Sequence, residues 1–321
     1  MEIRGLTVTY TQEAGAPIVA LDRVNLDVWP GDIVGIMGES GSGKSTLAAS
    51  LPRLLPATAR CAGTIRFEGR DVLKMQEREL RTVRGARIAL IPQDPAVCLN
   101  PVIRVGEQIA EAIRAHESVS RAERTLRVTQ LLREVCFDKP ERVSAAYPHQ
   151  LSGGERQRII IAQALACRPA LVIADEPTAK IDPAIQNEIL NLLSSLVRRC
   201  GAAMLLITHD PAVLAGLATR IAVMYAGRIV EEGKTENVFL RPLHPYTQGL
   251  VRLAEALCQA RSPGRSPFQT IAGEPPSLTQ IEPGCRFQPR CEARMPVCGT
   301  TDPQASAQPD SHCVSCFLYG D

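Results

Sequence analysis

The sequence predicts an α/β fold: a mostly parallel sheet covered by helices, with an antiparallel β layer before it, a helical insertion within it and a cysteine-rich extension after it. Three observations carry this expectation. Short apolar runs ending in polar residues alternate with helical stretches, the pattern of a parallel sheet buried on both faces. One such run, Ile33-Val34-Gly35-Ile36-Met37, feeds a glycine-rich turn and then Lys44-Ser45-Thr46, a strand–loop–helix sequence suited to cradling phosphate. Five of the eleven cysteines crowd into the last forty positions, in a segment poor in apolar residues.

Taken in order, Ile3, Leu6, Val8 and Tyr10, then Val24, Leu26 and Val28, stand at strand-like intervals on either side of a Gly-Pro loop, and predict two antiparallel strands. The phosphate loop follows, then a helix from about Ser45 to Leu55 stopped by Pro56. Residues 63–70 read as a hairpin and Arg87 to Pro92 as a short buried strand ending at Gln93. From Pro95 to about Tyr147 the period turns helical, with amphipathic stretches over Val105 to Ala115 and Thr125 to Val135 and no strand between them. Leu151-Ser152-Gly153-Gly154-Glu155-Arg156-Gln157 opens another helix. The strand Leu171 to Ala174 ends in Asp175-Glu176, the helix Ala184 to Arg199 follows, and the strand Ala203 to Ile207 ends in Thr208-His209-Asp210. Ile221 to Glu231 closes the sheet with a hairpin.

Composition narrows the function. A formal charge of +2 from 36 basic and 34 acidic residues, without a block of like charge, is not the footprint of a nucleic-acid binder, and nucleic acid is not an expected partner. The first residues lack the basic-then-apolar build of a signal segment. The longest apolar stretches fall short of the roughly 20 residues that span a membrane. The expectation is a soluble protein made in the cytoplasm. Six cysteines before residue 260 stand singly and read as small buried apolar residues.

The chemistry gathers at the polar ends of the strands. Gly38, Gly41 and Gly43 let backbone N–H groups turn toward an anion, with Ser40 and Ser42 between them. Lys44 is then placed for the terminal phosphates of a nucleotide and the Ser45 hydroxyl for Mg²⁺. Together with Tyr10, Gln93, Ser152-Gly153-Gly154, Asp175-Glu176, Asp182 and His209, in that order, the first 240 residues or so resemble the ATP-binding subunit of an ABC transporter, a P-loop NTPase. The resemblance implies that Tyr10 stacks on the adenine and that Lys44 and Thr46 lie at the phosphates. It implies that Ser45, Gln93 and Asp175 hold Mg²⁺, with Gln93 coupling the site to a helical subdomain at about 95–165. Glu176 would polarise the attacking water and His209 would reach the γ-phosphate. Ser152, Gly153 and Gly154 would contact ATP held by a second ATPase subunit, giving a dimer around two nucleotides. Where the family usually reads small-Ala-Leu-Asp, this chain has Ala179-Lys180-Ile181-Asp182. Lys180 either snorkels to solvent or favours a non-identical partner.

After residue 240, His244-Pro245-Tyr246-Thr247 introduces an amphipathic helix to about Ala260, and Arg261 to Gly284 is a Pro- and Gly-rich linker. Gly284-Cys285-Arg286-Phe287, Arg290-Cys291, Cys298 and His312-Cys313-Val314-Ser315-Cys316 resemble the C-terminal extension of oligopeptide and dipeptide importers. Four thiolates, Cys285, Cys291, Cys298 and Cys316, suit a [4Fe–4S] cluster first and Zn²⁺ second, with free thiols third, in a tail too poor in apolar residues to fold by burial alone. The implied function is ATP-driven peptide import at the cytoplasmic face of the cell membrane, with two permease subunits and an extracytoplasmic solute-binding protein as partners. The same build serving nickel, sugars or another solute is one alternative, and a soluble non-transport ABC ATPase is another.

Overall fold

The structure, a computed structural model, describes residues 1–12, 15–179, 181–259, 271–276, 278–279 and 282–320. The readings of Lys180 and of residues 260–270, 277, 280 and 281 of the linker fall outside them. In chain order the strands are β1 (Glu2–Tyr10), β2 (Ile18–Asp27), β3 (Ile33–Met37), β4 (Ala59–Phe67), β5 (Arg70–Asp71), β6 (Ile88–Ile91), β7 (Leu171–Asp175), β8 (Ala203–Ile207), β9 (Arg220–Tyr225), β10 (Arg228–Lys234), β11 (Ser306–Gln308) and β12 (His312–Val314).

The chain divides into two compact units, the first comprising Met1–Asp27, Ile33–Leu73 and Thr208–Asp321. Its antiparallel layer has the order β2-β1-β4-β5 and buries Ile3, Leu6 and Val8 of β1 with Leu21, Val24 and Leu26 of β2 and Ile65 of β4. The three-residue step from Ile3 to Leu6 departs from strict alternation because the pairing register shifts there. Gly5 takes a φ of +57°, which costs a residue without Cβ little. The apolar sets expected to form the two leading strands do so except for Val28, since β2 ends at Asp27. In the same unit β3 runs parallel to β9, and β9 forms the expected closing hairpin with β10. The five residues of β3 are all buried, as a strand covered on both faces requires. The extension then adds strands that sequence periodicity did not predict: β12 pairs antiparallel with β10, and β11 with β12.

The second unit comprises Val28–Asp32 and Lys74–Ile207. β6, β7 and β8 lie parallel in adjacent positions, and the helical insertion is there: Val105–Arg114, Arg121–Glu134 and, additionally, Pro140–Ala145, with Pro140 at its first turn. A short helix at Glu77–Val83 was not expected. Its start is nonetheless written in the sequence as a reciprocal pair, the Gln76 N–H donating to Glu79 Oε2 at 2.9 Å. Correction is needed after the phosphate loop, where the helix spans Lys44–Ser50 and not residues 45–55. Pro52 has no N–H to continue the ladder, and Arg53 turns to a φ of +55°, so the chain leaves the helix a turn before Pro56.

Candidate active site

The first unit holds the phosphate loop. β3 delivers Gly38, whose φ of +154° no Cβ tolerates here, since one would meet the Met224 carbonyl oxygen at 2.2 Å. Gly43 is equally constrained: at φ +103° its Cβ would stand 2.7 Å from the Ala20 carbonyl oxygen and 2.9 Å from Leu21. Lys44 is buried and arches back over the loop, its Nζ donating to the carbonyls of Gly38 at 2.8 Å and Glu39 at 2.7 Å and to Ser42 Oγ at 3.4 Å. Ser40, Gly41 and Ser45 are exposed along the loop mouth. The hydroxyl of Tyr10, at the end of β1, lies 3.5 Å from Thr46 Oγ1, so the expected adenine-stacking residue and the loop are brought together. His209, also in this unit, is exposed, two residues after β8 in the chain.

The second unit holds the carboxylates and the Ser152-Gly153-Gly154 segment. Asp175 closes β7 and Glu176 follows it with a φ of +45°, an uncommon value for a residue with a side chain. Its N–H is held by the Ile207 carbonyl at 2.9 Å, which fixes the side chain against Gln93: Gln93 Nε2 donates to Glu176 Oε2 at 3.1 Å. Two residues separated by 83 positions thus meet. Ser152 caps the helix Gly153–Leu165, its Oγ accepting from the Glu155 N–H at 3.3 Å while its own N–H donates to Glu155 Oε2 at 2.8 Å. These bonds hold the Glu155 carboxylate below its ordinary pKa. Gly154 packs on Ile185 and Ile189. Asp182 caps the helix Pro183–Arg199, its carboxylate accepting from the Ala184 N–H at 2.9 Å.

The extension forms a module within the first unit. Cys285, Cys291, Cys298 and Cys316 line one cavity whose other walls include Phe287, Met295, Phe317 and Leu318. Burial pushes the Cys285 thiol up to about 11 and raises those of Cys291 and Cys316 as well. Cys313 is elsewhere, in β12 beside Glu232. Among the described residues no group of three or more His, Cys, Asp or Glu stands at metal-holding spacing, so the expected [4Fe–4S] or Zn²⁺ site has its donor set in one cavity but not its coordination geometry. Phe287 anchors the module, its ring 5.2 Å from that of Tyr225 and 5.4 Å from that of Tyr246.

Two family models match the chain: "ABC transporter" over residues 21–179 and "Oligopeptide/dipeptide transporter, C-terminal region" over residues 230–298. The oligopeptide transport ATP-binding protein OppD of Salmonella typhimurium is 42% identical over 96% of this chain and 91% of its own length. The chain belongs to the ABC transporter ATP-binding family. The dipeptide transport ATP-binding protein DppD of Bacillus subtilis is 40% identical over 99% of this ABC ATPase and 94% of the relative. A solved dimeric ATP-binding cassette, MJ0796 in a post-hydrolysis state with ADP and Pi, superposes with a TM-score of 0.65 and 31% identity, over 73% of this chain and 98% of that one.

Several residues of this ABC ATPase escaped sequence reasoning. Glu39, an unspecified position of the phosphate loop, is gripped by Arg290 of the cysteine module with bonds of 2.7 and 3.0 Å. Glu231, 1% exposed, accepts from the N–H groups of Leu243 and His244 at 2.8 Å and faces His312 Nε2 at 2.7 Å, tying both ends of the extension to β10. Asp22 of β2 is bonded by Arg228 at 2.7 Å and by Arg286. Arg290 and His312 lay inside motifs already noticed for their cysteines, which was the available signal.

Proposed function

We propose that this ABC ATPase is the ATP-hydrolysing subunit of a peptide importer, in which ATP binding closes a dimer and hydrolysis reopens it. The observation that carries the reading is the phosphate loop: two glycine positions where a Cβ would collide, and a buried Lys44 folded onto the loop's carbonyls. A nucleotide's phosphates would replace those carbonyls as the partners of Lys44 and accept from the inward N–H groups, with Ser40, Ser42 and Thr46 around them and the adenine against Tyr10. Ser45, Gln93 and Asp175 would hold Mg²⁺, which supplies charge neutralisation at the transferred phosphoryl group. Glu176, pre-set by its backbone and by Gln93, accepts the proton of the attacking water, and His209 contacts the γ-phosphate. Ser152, Gly153 and Gly154 complete the site of a second, non-identical ATPase subunit. Asp182 fixes the loop between the carboxylates and the helix it caps.

The relatives' match through the extension supports peptide as the solute, two membrane permeases and an extracytoplasmic solute-binding protein as partners, and a place on the cytoplasmic face of the membrane. Among the described residues no helix is long and apolar enough to cross a membrane. Cys285, Cys291, Cys298 and Cys316 are read as ligands of a [4Fe–4S] cluster, with Zn²⁺ as the alternative. Four thiols around one apolar cavity fit such a group in donor chemistry, and binding would supply a covalent staple for the tail. Replacing Glu176 with Gln tests the catalytic assignment: ATP binding persists and turnover falls by about a hundredfold or more. Turnover near the parental rate would remove Glu176 from the role of base.

A further inference from the structure

The phosphate loop of this protein contains a carboxylate, Glu39, and the cysteine module supplies its counter-charge. The Arg290 guanidinium makes five hydrogen bonds, as many as it has N–H groups: Nη1 and Nη2 to the two Glu39 oxygens at 2.7 and 3.0 Å, Nε to the Ala272 carbonyl at 2.9 Å, Nη2 to the Ile271 carbonyl at 3.4 Å, and Nη1 to the Tyr225 hydroxyl at 3.4 Å. Its side chain is 4% exposed. The cation also lies 5.8 Å from the Tyr225 ring centroid and 5.9 Å from that of Phe287. Glu39 is fixed at two further points. Its N–H donates to the Tyr246 hydroxyl at 2.8 Å, and its carbonyl accepts from Lys44 Nζ at 2.7 Å. Both Tyr246 and Arg290 come from residues after 240, so the extension holds the loop by a backbone group and a side chain.

A carboxylate beside a polyanion site opposes the ligand unless its charge is cancelled. We propose that Arg290 is a positioning residue for nucleotide binding. By pairing with Glu39 it neutralises the one acid inside the phosphate loop and holds the loop in shape, so that docking of the cysteine module sets the affinity for ATP. The inference rests on the reading that this loop binds ATP phosphates. Its chemistry is electrostatic and needs no metal in the module.

The test uses the full chain and a fluorescent ATP analogue with Mg²⁺, alongside ATP turnover. Arg290→Met is expected to weaken nucleotide binding by about tenfold, with KM raised by the same factor and kcat within about twofold of the parent, because a unit charge is left uncancelled near the phosphates. The deficit shrinks as salt is raised. Glu39→Gln removes the charge at constant shape and is expected to bind at least as tightly as the parent, and Glu39→Gln with Arg290→Met recovers most of the lost affinity. Parental affinity in Arg290→Met, or no recovery in the double variant, overturns the proposal. If Arg290→Met does not fold, Glu39→Gln decides alone, since weakened binding there contradicts charge cancellation. Lys44→Ala separates the two claims: if it binds nucleotide like the parent, the loop reading itself fails.

Discussion

Replacing Phe287 with Ala isolates the attachment of the cysteine module. The ring is 4% exposed and sits among Tyr225, Tyr246 and His244, at centroid distances of 5.2, 5.4 and 5.7 Å. Tyr225 and Tyr246 are themselves 1% and 0% exposed and pack edge-on at 4.6 Å, so they cannot close over a vacated site. A buried Phe→Ala change costs about 3–5 kcal/mol when a cavity remains, lost aromatic pairing included. A cost of about 4 kcal/mol corresponds to a factor of several hundred to a thousand in the opening of the module. Native-state hydrogen exchange measures that opening directly at the Ser315 amide, which donates to the Val230 carbonyl at 2.8 Å where the module joins β10. The amides of β7 and β8, in the other unit, serve as internal reference. If exchange at Ser315 in Phe287→Ala stays within a factor of about five of the parent, the aromatic cluster does not hold the module and the assignment of Phe287 as anchor is wrong.

Three further outcomes are expected. Gly43→Ala should lose nucleotide binding and lower the thermal midpoint of the protein, because the new Cβ meets the Ala20 carbonyl at a left-handed φ; normal binding in a calorimetric titration would contradict the loop geometry. Acid should loosen the module. Burial opposes ionisation of Asp22, but the bond and charge of Arg228, with Arg286 and Arg23, bring its pKa below the ordinary value, and Arg228 does the same for Asp302. Both acids bind protons more weakly folded than unfolded, so their contribution is complete above about pH 4 and is lost as pH falls through the lower folded values. Proteolysis of the tail that is no faster at pH 3 than at pH 7, with an acid-tolerant protease, would refute this. On the proposed [4Fe–4S] reading, anaerobically purified protein carries iron and sulfide, Cys316→Ser abolishes both and Cys313→Ser leaves both; protein without iron and sulfide would refute that reading, and equal losses would place Cys313 in the ligand set.

What was legible in the sequence is what depends on local chemistry. The glycines of the phosphate loop, the apolar runs of β3, β6, β7 and β8, and the positions of Gln93 just after β6 and of Asp175 and Glu176 at the end of β7 follow from strand periodicity and glycine's tolerance of positive φ, and the structure has the elements where those signals put them. The hidden features depend on distance in the chain. Glu39 and Arg290 are separated by 251 positions, and neither charge has a local reason to be where it is. β11 and β12 have three residues each, too few for a period to declare itself. The helix after Lys44 ends at Ser50, short of the Pro56 stop that the sequence suggests, because Pro52 already lacks the donor.

The pairing of β12 along β10 also governs how the protein behaves toward its own copies. β10 is a seven-residue strand whose other neighbour is β9, so without β12 one row of its backbone N–H and C=O groups would face solvent as a template for any extended chain. The extension occupies part of that row and leaves, as the new outermost strand, the three residues of β11. Short outer strands recruit poorly, and Asp302, bonded to Arg228 at 2.8 Å, places an ion pair at the first residue of β10. A chain that broke off before residue 306 would therefore be expected to stick to other chains through β10, making solubility during synthesis contingent on the strands β11 and β12.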